Sequence, residues 1–206
     1  VKNYATMARN VGVTTIADLL SDLDPPEVEM LQKVTSDENF PVRYVPIMNA
    51  MRGDPALEAR RATELKPQST DKLRLGTAKL FTDGAIQGFT AKLNEPGYYN
   101  GPDNGIYNME DTHFRKAVFE LHKAGVKMHI HTNGDQASDY ATDVLGDAIR
   151  AYPDADHRHT LEHVQLADRM DFIRMNKLGI CVNLFANHLH YFGDVHWKTT
   201  LGPDRA

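Results

Sequence analysis

The stretch Val126-Lys127-Met128-His129-Ile130-His131-Thr132-Asn133-Gly134-Asp135-Gln136-Ala137 decides the fold. Val126, Met128 and Ile130 alternate with His129 and His131, which is the two-residue period of a strand. Gly125 ends a helical pattern before it, over residues 110–124, in which Phe114, Val118, Leu121 and His122 share a side. After the turn at Thr132-Asn133-Gly134, residues 135–151 repeat Ala137, Tyr140, Ala141, Val144, Leu145 and Ile149 at helical spacing. A strand entered from one helix and left into another is one unit of an alternating chain.

The same unit recurs outward in both directions. Upstream, short strands are expected at Val13–Ile16, Pro41–Met48 and Leu75–Phe81, separated by helices opening at Pro25-Pro26 and over 55–66. Downstream, strands are expected at His157–Val164 and Ile180–Phe185, separated by a helix that Asp168 caps. Residues 186–206 read as an irregular, aromatic tail. Six such units predict an α/β fold with a parallel sheet under helices. Either a doubly wound sheet or a (β/α)8 TIM barrel fits. No G-x-G-x-x-G follows the first strand, so a dinucleotide fold has no support. A barrel needs eight units and about 250 residues. The expectation is therefore a partial barrel, residues 1–206 forming one domain that is an interior segment of a longer one. An opening at Val1 rather than Met agrees with a trimmed chain. Residues 83–108 are rich in Gly and Asn and too long for a connector. With Phe89, Tyr98, Tyr99 and Tyr107 they are expected over the barrel mouth, facing substrate.

Composition narrows the function. The 206 residues carry a net charge of −5 and show no basic stripe, which argues against a nucleic-acid partner. No apolar run approaches the roughly 20 residues needed to cross a bilayer. A single cysteine, Cys181, excludes a disulfide scaffold and fits a cytoplasmic protein. It reads as a small buried hydrophobe. Nine of the 10 histidines lie between His122 and His196, which raises the question of a metal site.

Barrel active sites lie at the C-terminal ends of the strands. There the third strand offers Lys79, the fourth His131, and the fifth His163 on a face shared with His159 and Leu161. Neutral imidazole is a zinc ligand. A lysine becomes one only as a carbamate, and otherwise Lys79 is a rim charge. His157, His159, His188, His190 and His196 read as surface or supporting residues. Asp83, Tyr98 and His188 are the candidates to face substrate.

These residues resemble a known family. Lys79-Leu80-Phe81-Thr82-Asp83-Gly84-Ala85 is similar to the fourth-strand motif of amidohydrolase family 3, the YtcJ-like group of metal-dependent amidohydrolases that includes N-substituted formamide deformylases. His131-Thr132-Asn133-Gly134-Asp135-Gln136-Ala137 resembles its fifth-strand H-x-x-G-D-x-A, and His159-Thr160-Leu161-Glu162-His163-Val164-Gln165 its sixth-strand H-x-I-E-H-x-Q. Leu201-Gly202-Pro203-Asp204-Arg205-Ala206 resembles an L-G-x-x-R-A that follows the seventh. The order and spacing hold over nearly the whole chain. The resemblance implies that the six strands are strands two to seven of a distorted barrel. It implies that Lys79, His131 and His163 hold one or two divalent ions, zinc foremost, with Lys79 carboxylated and bridging. The family's strand-one H-x-H and strand-eight Asp have no counterpart here and would precede Val1 and follow Ala206. His129-Ile130-His131 is itself an H-x-H, but too little chain follows it for seven more units.

The implied activity is hydrolysis of a C–N bond in an amide or formamide-like small molecule by a metal-activated water. Asp135 is expected to cap the next helix. The alternative is a non-catalytic or regulatory relative, or an inactive truncated scaffold, with the same fold. A ligand-binding module built on the aromatic loop is a third option. Two unpaired sheet edges would favour association, so a homo-oligomer is compatible with the sequence.

Overall fold

The computed structural model describes residues 1–206. Its elements in chain order are α1 (Lys2–Asn10), β1 (Thr15–Ser21), α2 (Pro25–Thr35), β2 (Arg43–Asn49), α3 (Pro55–Leu65), β3 (Thr77–Phe81), α4 (Asp111–Lys123), β4 (Lys127–Thr132), α5 (Asp135–Ala151), β5 (Thr160–His163), α6 (Arg169–Lys177), β6 (Cys181–Leu184) and α7 (Asn187–Val195). One π-helical turn, His196–Thr200, follows.

Local chemistry sets many of the boundaries. Asp24 caps α2 by accepting from the Glu27 amide at 3.0 Å, and Pro25 stands in the first turn, where its missing N–H costs nothing. Asp54 and Pro55 repeat the device at α3. Asp168 and Asp171 form a reciprocal capping box at α6.

The six strands are all parallel and lie in sequence order, β1 to β6. A sheet that never reverses its order keeps winding the same way, and the result is a half-barrel. One continuous core joins Ala78, Leu80, Met128, Ile130 and Leu161 of the strands to Leu31, Ala62, Phe114, Leu121, Val144 and Leu145 of the helices. The other strand face is polar. Lys79, His129, His131 and Glu162 stand on it, in the positions that alternate with the core residues.

Several expectations need correction. The tail is not irregular, because α7 and the π-turn occupy most of it. Its aromatic, Gly-containing sequence has weak helix propensity, which hid the element. β1 begins at Thr15 and runs on to Ser21, and β3 begins only at Thr77. β5 is four residues, not eight, because His157 and His159 are used elsewhere and the strand is broken at its end. There His163 (φ 72°) and Val164 (φ 47°) are both left-handed. Cys181 is exposed, because β6 is a sheet edge. No helix is long and apolar enough to cross a membrane.

Residues 83–108 fold against the C-terminal side of the sheet around a small core of Ile86, Ala91, Leu93 and Tyr98, closed by Leu201. Asp135 is not the cap of α5. It is the first helical residue, and its carboxylate accepts from the Asn94 amide at 2.8 Å and pairs with Arg205 at 2.7 Å. Arg205 also donates to the Gly97 carbonyl at 2.9 Å. The motif residues Asp135 and Arg205, far apart in sequence, thus tie the long loop to α5 and the tail.

Candidate metal centre

Register places the site. Lys79 pairs with His129, and Phe81 pairs with His131, which pairs in turn with Glu162 and then Asn183. Paired residues of parallel strands project to the same face, so these side chains share the inner surface.

Lys79 is 1% exposed, and its ammonium lies 4.9 Å from the centre of the Phe81 ring. Burial lowers its pKa to about 8, against the opposing pull of Glu162. About a tenth of the amine is therefore neutral at pH 7, far more than for an ordinary lysine.

His131 stacks on Phe81 with ring centres 4.7 Å apart. Its Nε2 donates to the Gly84 carbonyl at 2.8 Å, which leaves the lone pair on Nδ1. A metal-binding histidine is commonly oriented in this way, by its other nitrogen. Burial lowers the His131 pKa to about 4. His163 lies edge-on to it, with ring centres 4.8 Å apart. Burial and then Lys79 lower the His163 pKa to about 4 as well. Both rings are neutral at pH 7, the form that binds a metal.

His159, Leu161 and His163 do not share a face as expected. Leu161 and His159 point toward the helices, and strict alternation would send His163 after them. The left-handed backbone at His163 turns its ring inward instead. That conformation is uncommon outside glycine and asparagine, and it is maintained where surrounding structure over-determines it.

Three inner-face groups, His129, Glu162 and Asn183, have no role assigned from sequence. Glu162 is fully buried and bonds His129 Nδ1 at 2.5 Å and Asn183 Nδ2 at 2.6 Å. Burial alone would raise the Glu162 pKa, but the bonds to His129 and Asn183 more than offset it and hold the carboxyl below its ordinary value. The visible signal was a Glu beside the His of the fifth strand, in register with a His-bearing neighbour.

The three substrate-facing candidates are placed differently from one another. Asp83 is fully buried and accepts from the amides of Lys92, Asn133 and Gly134 at 2.9, 3.0 and 2.8 Å. It holds the turn that carries His131 instead of facing a ligand. Burial raises its pKa to about 6, against those bonds. Tyr98 donates to the Ala91 carbonyl at 3.0 Å inside the small loop core, and it too faces the protein. His188 lies beside His163, with ring centres 5.5 Å apart.

His157 and His159 are not surface residues. With His122 they form a buried trio on the helix side of the sheet. His122 Nε2 donates to the Tyr152 carbonyl at 2.7 Å, so His122 Nδ1 accepts from His159 Nε2 at 2.8 Å. His159 Nδ1 accepts from the Met128 amide at 3.2 Å. His157 donates to the Leu178 carbonyl at 2.9 Å and accepts from the His159 amide at 3.0 Å. Every ring nitrogen of the trio is committed.

The donor set on the inner face fits a zinc-like ion in kind: two neutral imidazoles and a buried lysine. It is incomplete in number, since no three His, Cys, Asp or Glu side chains converge to hold an ion.

Comparison with known proteins agrees with the fold and the motifs. An amidohydrolase-family model matches residues 2–206. YtcJ of Bacillus subtilis, a protein named for the amidohydrolases, is 28% identical over 147 residues, covering 70% of this chain and 27% of that protein. Protein LONG AFTER FAR-RED 3 of Arabidopsis thaliana is 30% identical over 151 residues, covering 71% of this chain and 26% of that protein. An uncharacterized metal-dependent hydrolase from Pyrococcus furiosus superposes with a TM-score of 0.75 at 17% identity, over 99% of this chain and 40% of that one. A second, from Pyrococcus horikoshii OT3, does so at 18% identity with the same TM-score, over 39% of its length. The chain thus spans about a quarter of these sequence relatives and two-fifths of the structural ones. With a family model matched over residues 2–206, a half-barrel of six parallel strands and the motif residues on its inner face, the chain belongs to the amidohydrolase family.

Proposed function

We propose that this protein is a metal-dependent hydrolase that cleaves the C–N bond of an amide or formamide-like small molecule. The observation that carries this reading is the pairing of His131 and His163, with ring centres 4.8 Å apart beside the buried Lys79. Zinc suits such a donor set. When bound, the ion would supply a water of lowered pKa and polarise the substrate carbonyl.

The chain's own residues have distinct tasks. His131 Nδ1 and the His163 ring would hold the ion. The Gly84 carbonyl fixes the His131 tautomer. The partly neutral Lys79 amine is in the form that takes up carbon dioxide as a carbamate, which would add oxygen ligands. Asp83 clamps the turn at Asn133 and Gly134 and so sets the angle of His131. The pair of Glu162 and His129 keeps a negative group near Lys79.

A non-catalytic relative is the second reading, favoured by the lack of a third converging ligand. The test is metal content and amine release, measured on the full-length protein, in which the resemblance expects the remaining ligands, with formanilide and a panel of small amides. Bound zinc together with amine release that a chelator abolishes supports the hydrolase. Bound zinc without release from any amide favours the non-catalytic relative. No zinc overturns the metal reading.

A further inference from the structure

Five histidines are buried: His122, His157, His159, His188 and His196. Four have both ring nitrogens bonded. The trio is described above, and His196 meets Thr200 Oγ1 at 2.8 Å and Gln165 Nε2 at 3.0 Å. His188 is the exception. It is 8% exposed, and its Nδ1 is buried without a hydrogen-bond partner. Buried polar atoms are nearly always paired, so an orphan calls for an explanation.

The orphan has company. The buried side-chain atoms without partners are Gln87 Oε1, Asn133 Oδ1, Gln136 Oε1, Gln165 Oε1 and His188 Nδ1. All five lie in segments that follow the C-terminal ends of β3 to β6. Asn133 and Gln165 each stand two residues beyond a candidate ligand, His131 and His163. None belongs to the buried trio, whose bonding is complete.

His188 is held by packing, not by bonds. Its ring is edge-on to Phe185 at 4.7 Å and tilted against Phe192 at 6.2 Å, and it lies 5.5 Å from His163. These contacts fix the imidazole while leaving Nδ1 unused. No three His, Cys, Asp or Glu side chains converge on one ion, so His188 is not a third ligand beside the pair.

We propose that His188 is a substrate-binding residue, whose imidazole accepts a hydrogen bond from an N–H or O–H group of an uncharged amide seated against His163. This rests on the hydrolase reading above and deepens it. The unpaired amide oxygens of Asn133 and Gln165, each two residues beyond a candidate ligand, are acceptors too, so they match a donor-rich neutral ligand and disfavour a carboxylate.

Propionamide is a suitable probe, being small, uncharged, a donor through its N–H groups and a weak ligand for zinc. It is titrated into the full chain, with and without zinc, while the histidine ring nitrogens are followed by nitrogen-15 NMR. Zinc content and probe affinity are compared in His188→Phe, in His163→Ala, and in His190→Gln as an exposed neighbour. The expected result is retained zinc in His188→Phe, about tenfold weaker probe binding, and a shift of the wild-type His188 ring nitrogens on adding probe. His190→Gln changes nothing. Loss of zinc in His188→Phe, as in His163→Ala, makes His188 a ligand and overturns the proposal. Unchanged zinc and unchanged probe affinity make it structural and overturn it too. If the wild type binds no zinc, the hydrolase reading fails separately. The metal-free titration then decides, since a His188 shift sustains the contact and its absence refutes it.

Discussion

Two groups of three histidines sit on opposite faces of one sheet. His122, His157 and His159 lie on the helix side with every ring nitrogen bonded. His131, His163 and His188 lie on the inner face. There the only ring bond into the main chain is that from His131 to Gly84, and His188 Nδ1 has no partner. Both groups are desolvated, and burial lowers the pKa of His159, His131 and His163 alike. A depressed histidine pKa therefore does not separate a structural cluster from a functional one. Unspent bonding capacity does. The trio uses its nitrogens to hold β4, β5 and their helices together, and the inner set leaves lone pairs for something else.

The largest effect should come from removing the centre of the trio. His159→Ala leaves the Met128 amide and His122 Nδ1 unpaired and opens a cavity, at a cost of roughly 3 kcal/mol in urea unfolding. His163→Ala, on the half-open inner face, should cost less than about 1 kcal/mol. Equal costs would erase the distinction.

Next comes the turn that carries His131. A Cβ at Gly134 would meet the Lys92 carbonyl oxygen at 1.8 Å, a backbone atom with no freedom to yield. Gly134→Ala should destabilise by about 2 kcal/mol or more and detach the long loop, read as faster proteolysis within residues 92–105. Unchanged proteolysis would mean the loop is held from elsewhere.

Acid should act on both groups in the same direction. His159, with a folded pKa of about 3, and His131 and His163, at about 4, all titrate below the ordinary histidine value of 6.5. The unfolded chain then binds more protons between those limits, so stability is present above pH 6.5 and lost as pH falls toward 3. A pH series of urea midpoints should show the decline, and His159→Gln should flatten it. A flat wild-type profile would contradict the burial of these rings.

A modest effect should come from the tether between Asp135 and Arg205. Their side chains are 19% and 18% exposed, and the pair is bonded at 2.7 Å. Arg205→Ala should cost on the order of 1 kcal/mol and loosen residues 94–97 in hydrogen exchange. No change in exchange there would reduce the pair to a surface contact.

The alternating order of strands and helices was legible because each apolar period is local. The grouping of Lys79, His131 and His163 on adjacent strands was legible because they stand at strand ends in a familiar order. Three things were not. The inward turn of His163 depends on a left-handed backbone that no period announces. The bonding of Glu162 to His129 depends on register between strands, which only the folded sheet sets. The burial of the trio depends on α4 meeting the start of β5, and a polar residue type hid that contact. The burial of Asp83 and Tyr98 was hidden for the opposite reason, since a polar or aromatic residue in a loop reads as exposed until the loop is seen to have its own core.

Zinc affinity, measured by titration calorimetry on the wild-type full chain, His163→Ala and His157→Gln, tests the division between the two faces most directly. In the full-length protein, where the resemblance expects the remaining ligands, tight binding is predicted for the wild type and for His157→Gln, and binding about 100-fold weaker or worse for His163→Ala. Binding that survives in His163→Ala but is lost in His157→Gln would place the metal among the trio and contradict that division.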